Sequence, residues 1–311
     1  ILLDKLEGEM QGAQPVLTLH GLQVHADANP ASPVLFALED VIARVDIWSS
    51  LWQRRLVMDA LQIEGLALEL VEDGEGRWQL YGLGDRDVGE TGLDDALEVL
   101  LDQRRITLLN TRIQISPHEQ PQWLFREGDL TLLNAADGHR LDAQVKLPDG
   151  QLVRLQASAA SLGRHWQDLT LGFFLELPAI DWVRYLPAPL LETARLQELV
   201  AGGRFWGRWG ERQLQALQGQ LIAPVVVPAV DPLPDQSVAQ IRDLLADFQL
   251  QLGAEQRLQI DNLTLRLNDR VWPRTRLQGE RNEQGHWALR MDLLPLALVS
   301  QGLAPLLTNE V

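Results

Sequence analysis

The sequence predicts a mainly β chain with a few short helices and repeat character. Three observations carry that prediction. Most of the chain alternates apolar and polar residues with a period of two. A short apolar pattern, broken by Gly or Asn, recurs along it. Leucine is about a fifth of the 311 residues and aromatics are only 6%, yet few helical stripes are present to cover so much apolar side chain.

The alternating runs define the strands. Leu130 and Leu132 are followed by Leu141, Ala143, Val145 and Leu147. Val153, Leu155 and Ala157 form the next run, and Leu169, Leu171, Phe173 and Leu175 another. Polar residues sit between their members, as a sheet with one apolar and one wet face requires. Pro148-Asp149-Gly150 has turn chemistry, so residues 139–159 are predicted to form a hairpin.

The recurring pattern appears first as Leu17-Thr-Leu-His20-Gly21-Leu-Gln-Val24 and again as Leu61-Gln-Ile-Glu64-Gly65-Leu-Ala-Leu68. Ile106-Thr-Leu-Leu109-Asn110-Thr-Arg-Ile113 is looser, and Leu258-Gln-Ile-Asp261-Asn262-Leu-Thr-Leu265 is the fourth copy. Gly and Asn tolerate the left-handed backbone conformation, and the parity of the apolar residues flips across them. An extra residue inside a continuous strand produces that flip and keeps one face apolar. A two-residue hairpin turn is the rival reading. The bulge is preferred because three-residue arms are short for a hairpin.

Two further repeats accompany it. Leu175-Glu-Leu-Pro178 through Pro187 resembles Asp292-Leu-Leu-Pro295 through Pro305, each read as a strand entering a Pro-started helical turn. Gly76-Arg-Trp78 and Gly285-His-Trp287 read as matching strand starts. Helices are predicted at Leu93–Leu101, flanked by Asp94, Asp95, Arg104 and Arg105, and at Val238–Phe248 with Asp235 or Ser237 as cap. Leu190, Leu191, Ala194 and Leu199 mark a weaker stripe, and Trp48 to Arg55 one or two turns. Pro224 to Pro234 is predicted as a Pro-rich loop or linker. It separates residues 1–223 from a continuation of the same sheet over 235–311.

Composition excludes several functions. A net charge of −16 repels phosphate backbones, so no nucleic-acid partner is expected. The chain has no cysteine, which removes disulfides, Cys-ligated metals and Cys nucleophiles. No apolar run reaches the roughly 18 residues of a membrane span. The start at Ile1 reads as a cut N-terminus, with any anchor upstream of it.

No catalytic, metal or cofactor motif is found. His20 and His25 lack a fixed acidic third ligand nearby, and the other histidines fall in loops or at strand edges. Asp40, Asp46, Asp59, Glu64 and Glu69 cluster in sequence, and paired carboxylates could serve glycoside hydrolysis, but alternation puts them on the wet face. Gly202-Gly203-Arg-Phe-Trp206-Gly-Arg-Trp209-Gly210 could stack on a base or sugar. It is read instead as a glycine-rich turn leading into an edge strand.

One set of residues resembles a known family. Val41-Ile-Ala-Arg-Val45-Asp-Ile-Trp-Ser-Ser-Leu51-Trp-Gln-Arg-Arg-Leu56, then Leu61 to Leu70, then Gly76-Arg-Trp78-Gln-Leu80 is similar to the AsmA-like proteins of Gram-negative envelopes. Gln103 to Ile113, Gly128 to Asn134, His139-Arg-Leu-Asp142 and Phe174 to Trp182 resemble its YhdP branch. The resemblance implies an elongated, curled antiparallel sheet with an apolar groove, the β-taco. It implies a periplasmic protein anchored in the inner membrane, with phospholipids and envelope proteins as partners. It also implies phospholipid movement toward the outer membrane and no catalysis.

The groove candidates are apolar members of the alternating runs: Leu66, Leu68, Leu70, Ile113, Ile115, Leu130, Leu132, Leu171, Phe173 and Leu175. The alternative is a scaffold with a closed, dry core that bridges the envelope or aids outer-membrane assembly.

Overall fold

The computed structural model describes residues 2–12, 14–25, 34–54, 58–72, 74, 78–81, 103–118, 122–135, 137–160, 170–185, 195–211, 213–229, 240–252, 256–281 and 286–295. Among them are seventeen strands, one α-helix and one 3-10 turn. The chain divides into two compact units, residues 1–171 and 172–311.

The first unit opens with β1 (Lys5–Gln11), β2 (Gln14–His25), β3 (Val34–Val45), the short helix α1 (Ile47–Gln53) and β4 (Met58–Glu64). β1 to β4 pair in sequence order, all antiparallel. β5 (Ala67–Glu72) and β6 (Trp78–Tyr81) follow, then β7 (Arg105–Ser116), β8 (Trp123–Ala135), β9 (Gly138–Lys146) and β10 (Leu152–Ala159). β7 to β10 are again antiparallel neighbours. The predicted hairpin is β9–β10. Its turn is closed by Gly150 N donating to Leu147 O at 2.8 Å, with Gly150 at φ +88°.

The expectation of a wholly antiparallel sheet is corrected at one step, because β4 and β5 both pair with β7 in parallel. Leu61 stands opposite Ile106 and Ala67 opposite Arg112, with the same offset on either side of Gly65-Leu66. The long segment between β5 and β7 supplies the crossover that a parallel pair needs. Leu66 O accepts from Arg112 N at 2.8 Å, and Gly65 N donates to Leu109 O at 3.1 Å, so the ladder continues through the break.

This continuity decides between bulge and hairpin. Gly21, Gly65 and Asn110 have φ of +62°, +75° and +51°, and the chain passes through each without reversing. Gly65 and Asn110 lie side by side, so the second and third copies of the pattern are spatial neighbours with aligned bulges. The apolar face survives the parity flip. Leu38, Val41 and Leu66 form a buried cluster against which Leu19, Leu22, Leu61, Ile63, Leu68 and Leu108 pack. These residues come from both sides of the break. Glycine is required at position 65, since a Cβ there would lie 2.5 Å from Glu39 Cγ.

In the second unit, β11 (Leu171–Asp181) starts at the boundary and ends in a 3-10 turn at Trp182–Arg184, capped by Asp181 accepting from Val183 N at 3.2 Å. β12 (Leu196–Gly210), β13 (Gln213–Pro228), β14 (Ile241–Leu252), β15 (Gln256–Leu267), β16 (Arg270–Arg281) and β17 (Trp287–Met291) form an antiparallel meander. β11 lies beside β12, held by Trp182 Nε1 to Ala201 O at 2.6 Å and by Arg204 to Glu176 at 3.1 Å. The fourth copy of the pattern is in β15. That strand shifts register between Ile260 and Leu263 without a left-handed residue at Asn262.

Several local expectations change. The helix expected to end at Phe248 is strand β14 from Ile241 onward. Its apolar row runs Ile241, then Leu244, Ala246, Phe248, Leu250 and Leu252, with Asp243 at φ +51° between the two parities and Leu245 on the other face. One bulge thus imitates helical spacing. Residues 202–210 lie inside β12, flanked by β11 and β13, and are not a turn before an edge strand. Leu199 is in β12 as well. Pro224 to Pro228 are the end of β13, where Pro224 sits at a register shift between β12 and β13, the kind of site at which a sheet accepts proline. The helix predicted at 93–101, residues 190–194, Pro-rich positions 230–234, and the repeat beyond 295 lie outside the described residues.

Gly65→Ala should lower unfolding free energy by about 1–3 kcal/mol in urea titration, from left-handed strain plus the Glu39 clash. Asn110→Gly should move it by no more than about 1 kcal/mol, because glycine keeps the backbone conformation there.

Candidate functional site

Strand register assembles the apolar residues into rows. In the first unit, Leu6, Leu19, Val41, Ile63, Leu108, Leu130, Ala143 and Leu155 stand opposite one another in succession across eight strands. Leu17, Ala43, Leu61, Ile106, Leu132, Leu141 and Ala157 form the adjacent row. Beyond the bulges come Leu68, Ile113 and Phe125, then Leu70, Ile115 and Trp123. Seven of the ten candidates, Leu66, Leu68, Leu70, Ile113, Ile115, Leu130 and Leu132, therefore share one face.

The second unit repeats the device with glycine. One row is Gly207, Leu217, Leu250, Leu258, Gly279 and Leu289. The next is Phe205, Gly219, Phe248, Ile260, Leu277 and Met291. A Cβ on Gly207 would lie within 3 Å of Phe173 Cζ and both Cε atoms, so that ring occupies the space the glycine leaves. Phe205 and Phe248 reach toward each other across Gly219, their ring centroids 6.1 Å apart. Aromatic cover of a glycine keeps the face apolar where the strand has no side chain of its own. Phe173 and Leu175 belong to this face by strand alternation, with Leu171 on the same side of β11.

Depth separates the candidates. Leu66 is 2% exposed and belongs to the buried cluster. The other nine are half-buried: packed sideways by their neighbours but not sealed. The same holds for Leu217, Leu250, Leu258 and Ile260. Sequence reasoning did not select those four as lining, nor Phe205 and Phe248. Glycines at alternate positions opposite aromatics were the available signal.

The opposite face is polar and internally paired. His20 Nδ1 lies 2.6 Å from Asp40, Asn110 donates to Glu64 at 2.9 Å, and Gln114 donates to Glu69 at 2.8 Å. Arg104 meets Asp59 at 3.3 Å. Lys5 beside Glu7, with His20 nearby, holds the Glu7 carboxyl below its ordinary range. Of the acidic residues that cluster in sequence, Asp40, Asp59, Glu64 and Glu69 are thus tied to separate partners. In the second unit, Phe174 and Trp206 pack against each other on the face opposite Phe173 and Phe205, with centroids 5.1 Å apart and planes tilted by 42°, which accounts for one Trp of the Gly-Arg-Trp segment. Among the described residues, no three His, Cys, Asp or Glu side chains gather as metal ligands, and no helix is long and apolar enough to cross a membrane.

Leu66→Ala should cost about 2–5 kcal/mol of unfolding free energy, the range for a sealed leucine. Leu250→Ala should cost roughly half of that or less, because its side chain is only partly withdrawn from solvent in the folded state. Chemical denaturation of the two variants side by side checks the difference in depth.

No curated protein and no solved structure matches the chain. A family model described as "YhdP protein" matches residues 1–311. The segment that carries the resemblance folds as strand β3, the short helix α1, strand β4, the bulge at Gly65 and strand β5. The chain belongs to the YhdP family.

Proposed function

We propose that this chain is a non-enzymatic lipid-transfer segment of the bacterial envelope. In this reading, phospholipid acyl chains lie along the apolar face of the sheet as they pass between the inner and outer membranes. The observation that carries the reading is the set of continuous apolar rows in both units, most of whose leucines are left half-buried. A soluble sheet normally buries such a face under a second layer. Among the described residues, Leu38, Val41 and Leu66 form a small sealed cluster in the bulge region of the first unit, and other buried apolar residues such as Ile106 and Ala246 stand singly in the rows or beside them.

The energetics fit. Each methylene moved from bilayer to water costs about 0.8 kcal/mol, so two acyl chains cost on the order of 25 kcal/mol. Scattered surface leucines cannot offset that, whereas an unbroken face several strands wide can. The paired polar face supplies the soluble exterior. Family membership supports an envelope location. The periplasm and an anchor in the inner membrane belong to the proposal.

The test is a photo-crosslinker introduced in cells at Leu132 and Phe173, with Thr131 and Arg204 on the opposite face as controls. Phospholipid adducts are expected at the first pair and not at the second. Absence of adducts at several apolar-face positions, or equal labelling of both faces, would support the closed-scaffold alternative instead.

A further inference from the structure

α1 inverts the usual arrangement of an amphipathic helix. Ile47, Trp48, Leu51 and Trp52 fall at i, i+1, i+4 and i+5, which places them on one helical face. That face is turned outward: Trp52 is 90% exposed, Trp48 79%, Leu51 71% and Ile47 41%. The helix is otherwise well formed, with Ser50 N donating to Asp46 O at 2.9 Å. It stops at Arg54, whose φ is +53°. Four large apolar side chains on one exposed turn need an occupant.

Charge and position select it. Between Asp46 and Asp59 the chain carries no acidic residue and two arginines, Arg54 and Arg55, although its net charge is −16. Arg104 reaches the same rim, because β7 runs parallel to β4 from that end and Arg104 pairs with Asp59 while remaining exposed. Asp59 offsets the charge of Arg104, and the exposed Arg54, which Arg55 follows in sequence, supplies positive charge beside the helix that complements phosphate groups. Indole rings on a helix that ends at an exposed arginine suit the headgroup layer, where one end of each side chain is apolar and the other wet. Seven residues cannot cross a bilayer, which takes about 20, so the helix can only lie in the interface. The apolar face also leads to this rim: α1 joins β3 to β4, and their end residues Val45 and Met58 stand opposite each other.

We infer that α1 is a membrane-interface contact, which seats this rim of the first unit on a phospholipid bilayer through Trp48, Leu51 and Trp52. The inference does not depend on what the sheet carries, because a dry scaffold could dock the same way.

Vesicle sedimentation of the 311-residue chain tests it, with phosphatidylcholine–phosphatidylglycerol vesicles. Wild type should bind, and W48S/L51S/W52S should bind about tenfold more weakly or worse, with an unchanged unfolding midpoint. Vesicles with brominated acyl chains should quench wild-type tryptophan fluorescence. W48F/W52F should still bind but lose most of that quenching. The inference is overturned if wild type does not bind vesicles, or if the serine variant binds as well as wild type. It is also overturned if the substitutions abolish a concentration-dependent dimer and leave vesicle binding unchanged, since a second copy would then be the occupant.

Discussion

The fold depends on keeping one face apolar along a sheet in which several strands contain an extra residue. Side chains alternate with period two, so a single inserted residue would turn half of a strand's leucines outward. The chain meets this by inverting its apolar parity at the insertion. It places there a residue that accepts positive φ: Gly21, Gly65 and Asn110 in the first unit, and Asp243 in the second. Neighbouring strands bulge together, so pairing continues through Gly65 and Asn110 with unchanged offset. If one strand bulged alone, its rows would fall out of line with those beside it. The aligned rows, and any function that uses them, follow from this local arrangement.

The same device explains what was legible in the amino-acid order. A bulge at Gly65 was readable because Leu61 and Ile63 are odd, Leu66, Leu68 and Leu70 are even, and the residue between them tolerates the left-handed region. The β9–β10 hairpin was readable from clean alternation around Pro148-Asp149-Gly150. The bulge at Asp243 was not, because aspartate is a weaker signal than glycine and the interrupted period of two matched helical spacing from Ile241 to Phe248. The parallel step between β4 and β7 was also hidden. The spacing of the second and third copies is the offset of that pairing, but spacing alone does not say whether repeats stack as neighbours or lie apart.

The candidate lining was legible as a face and not as a depth. Alternation groups Leu66 with Leu68 and Leu70, yet only the structure separates the sealed Leu66 from its half-buried neighbours. In the second unit the face is built from aromatics beside glycines, as with Phe173 over Gly207. Residue-by-residue hydrophobicity undervalues such rows, since Gly207, Gly219 and Gly279 bring no side chain to them. The Gly-Arg-Trp segment, conspicuous in isolation, resolves into a central strand with Phe205 on the apolar face and Trp206 packed against Phe174 on the other.

The proposed function requires that the leucine rows of each unit, most of them half-buried among the described residues, stay available to lipid. The most direct measurement of this claim is native mass spectrometry of the chain isolated from bacterial envelopes without added lipid. Discrete adducts of phospholipid mass should accompany the wild-type chain and fall sharply when Leu132 and Leu250 are replaced by aspartate. A chain that flies bare under conditions preserving its fold, and binds no phospholipid when it is supplied, would contradict the account.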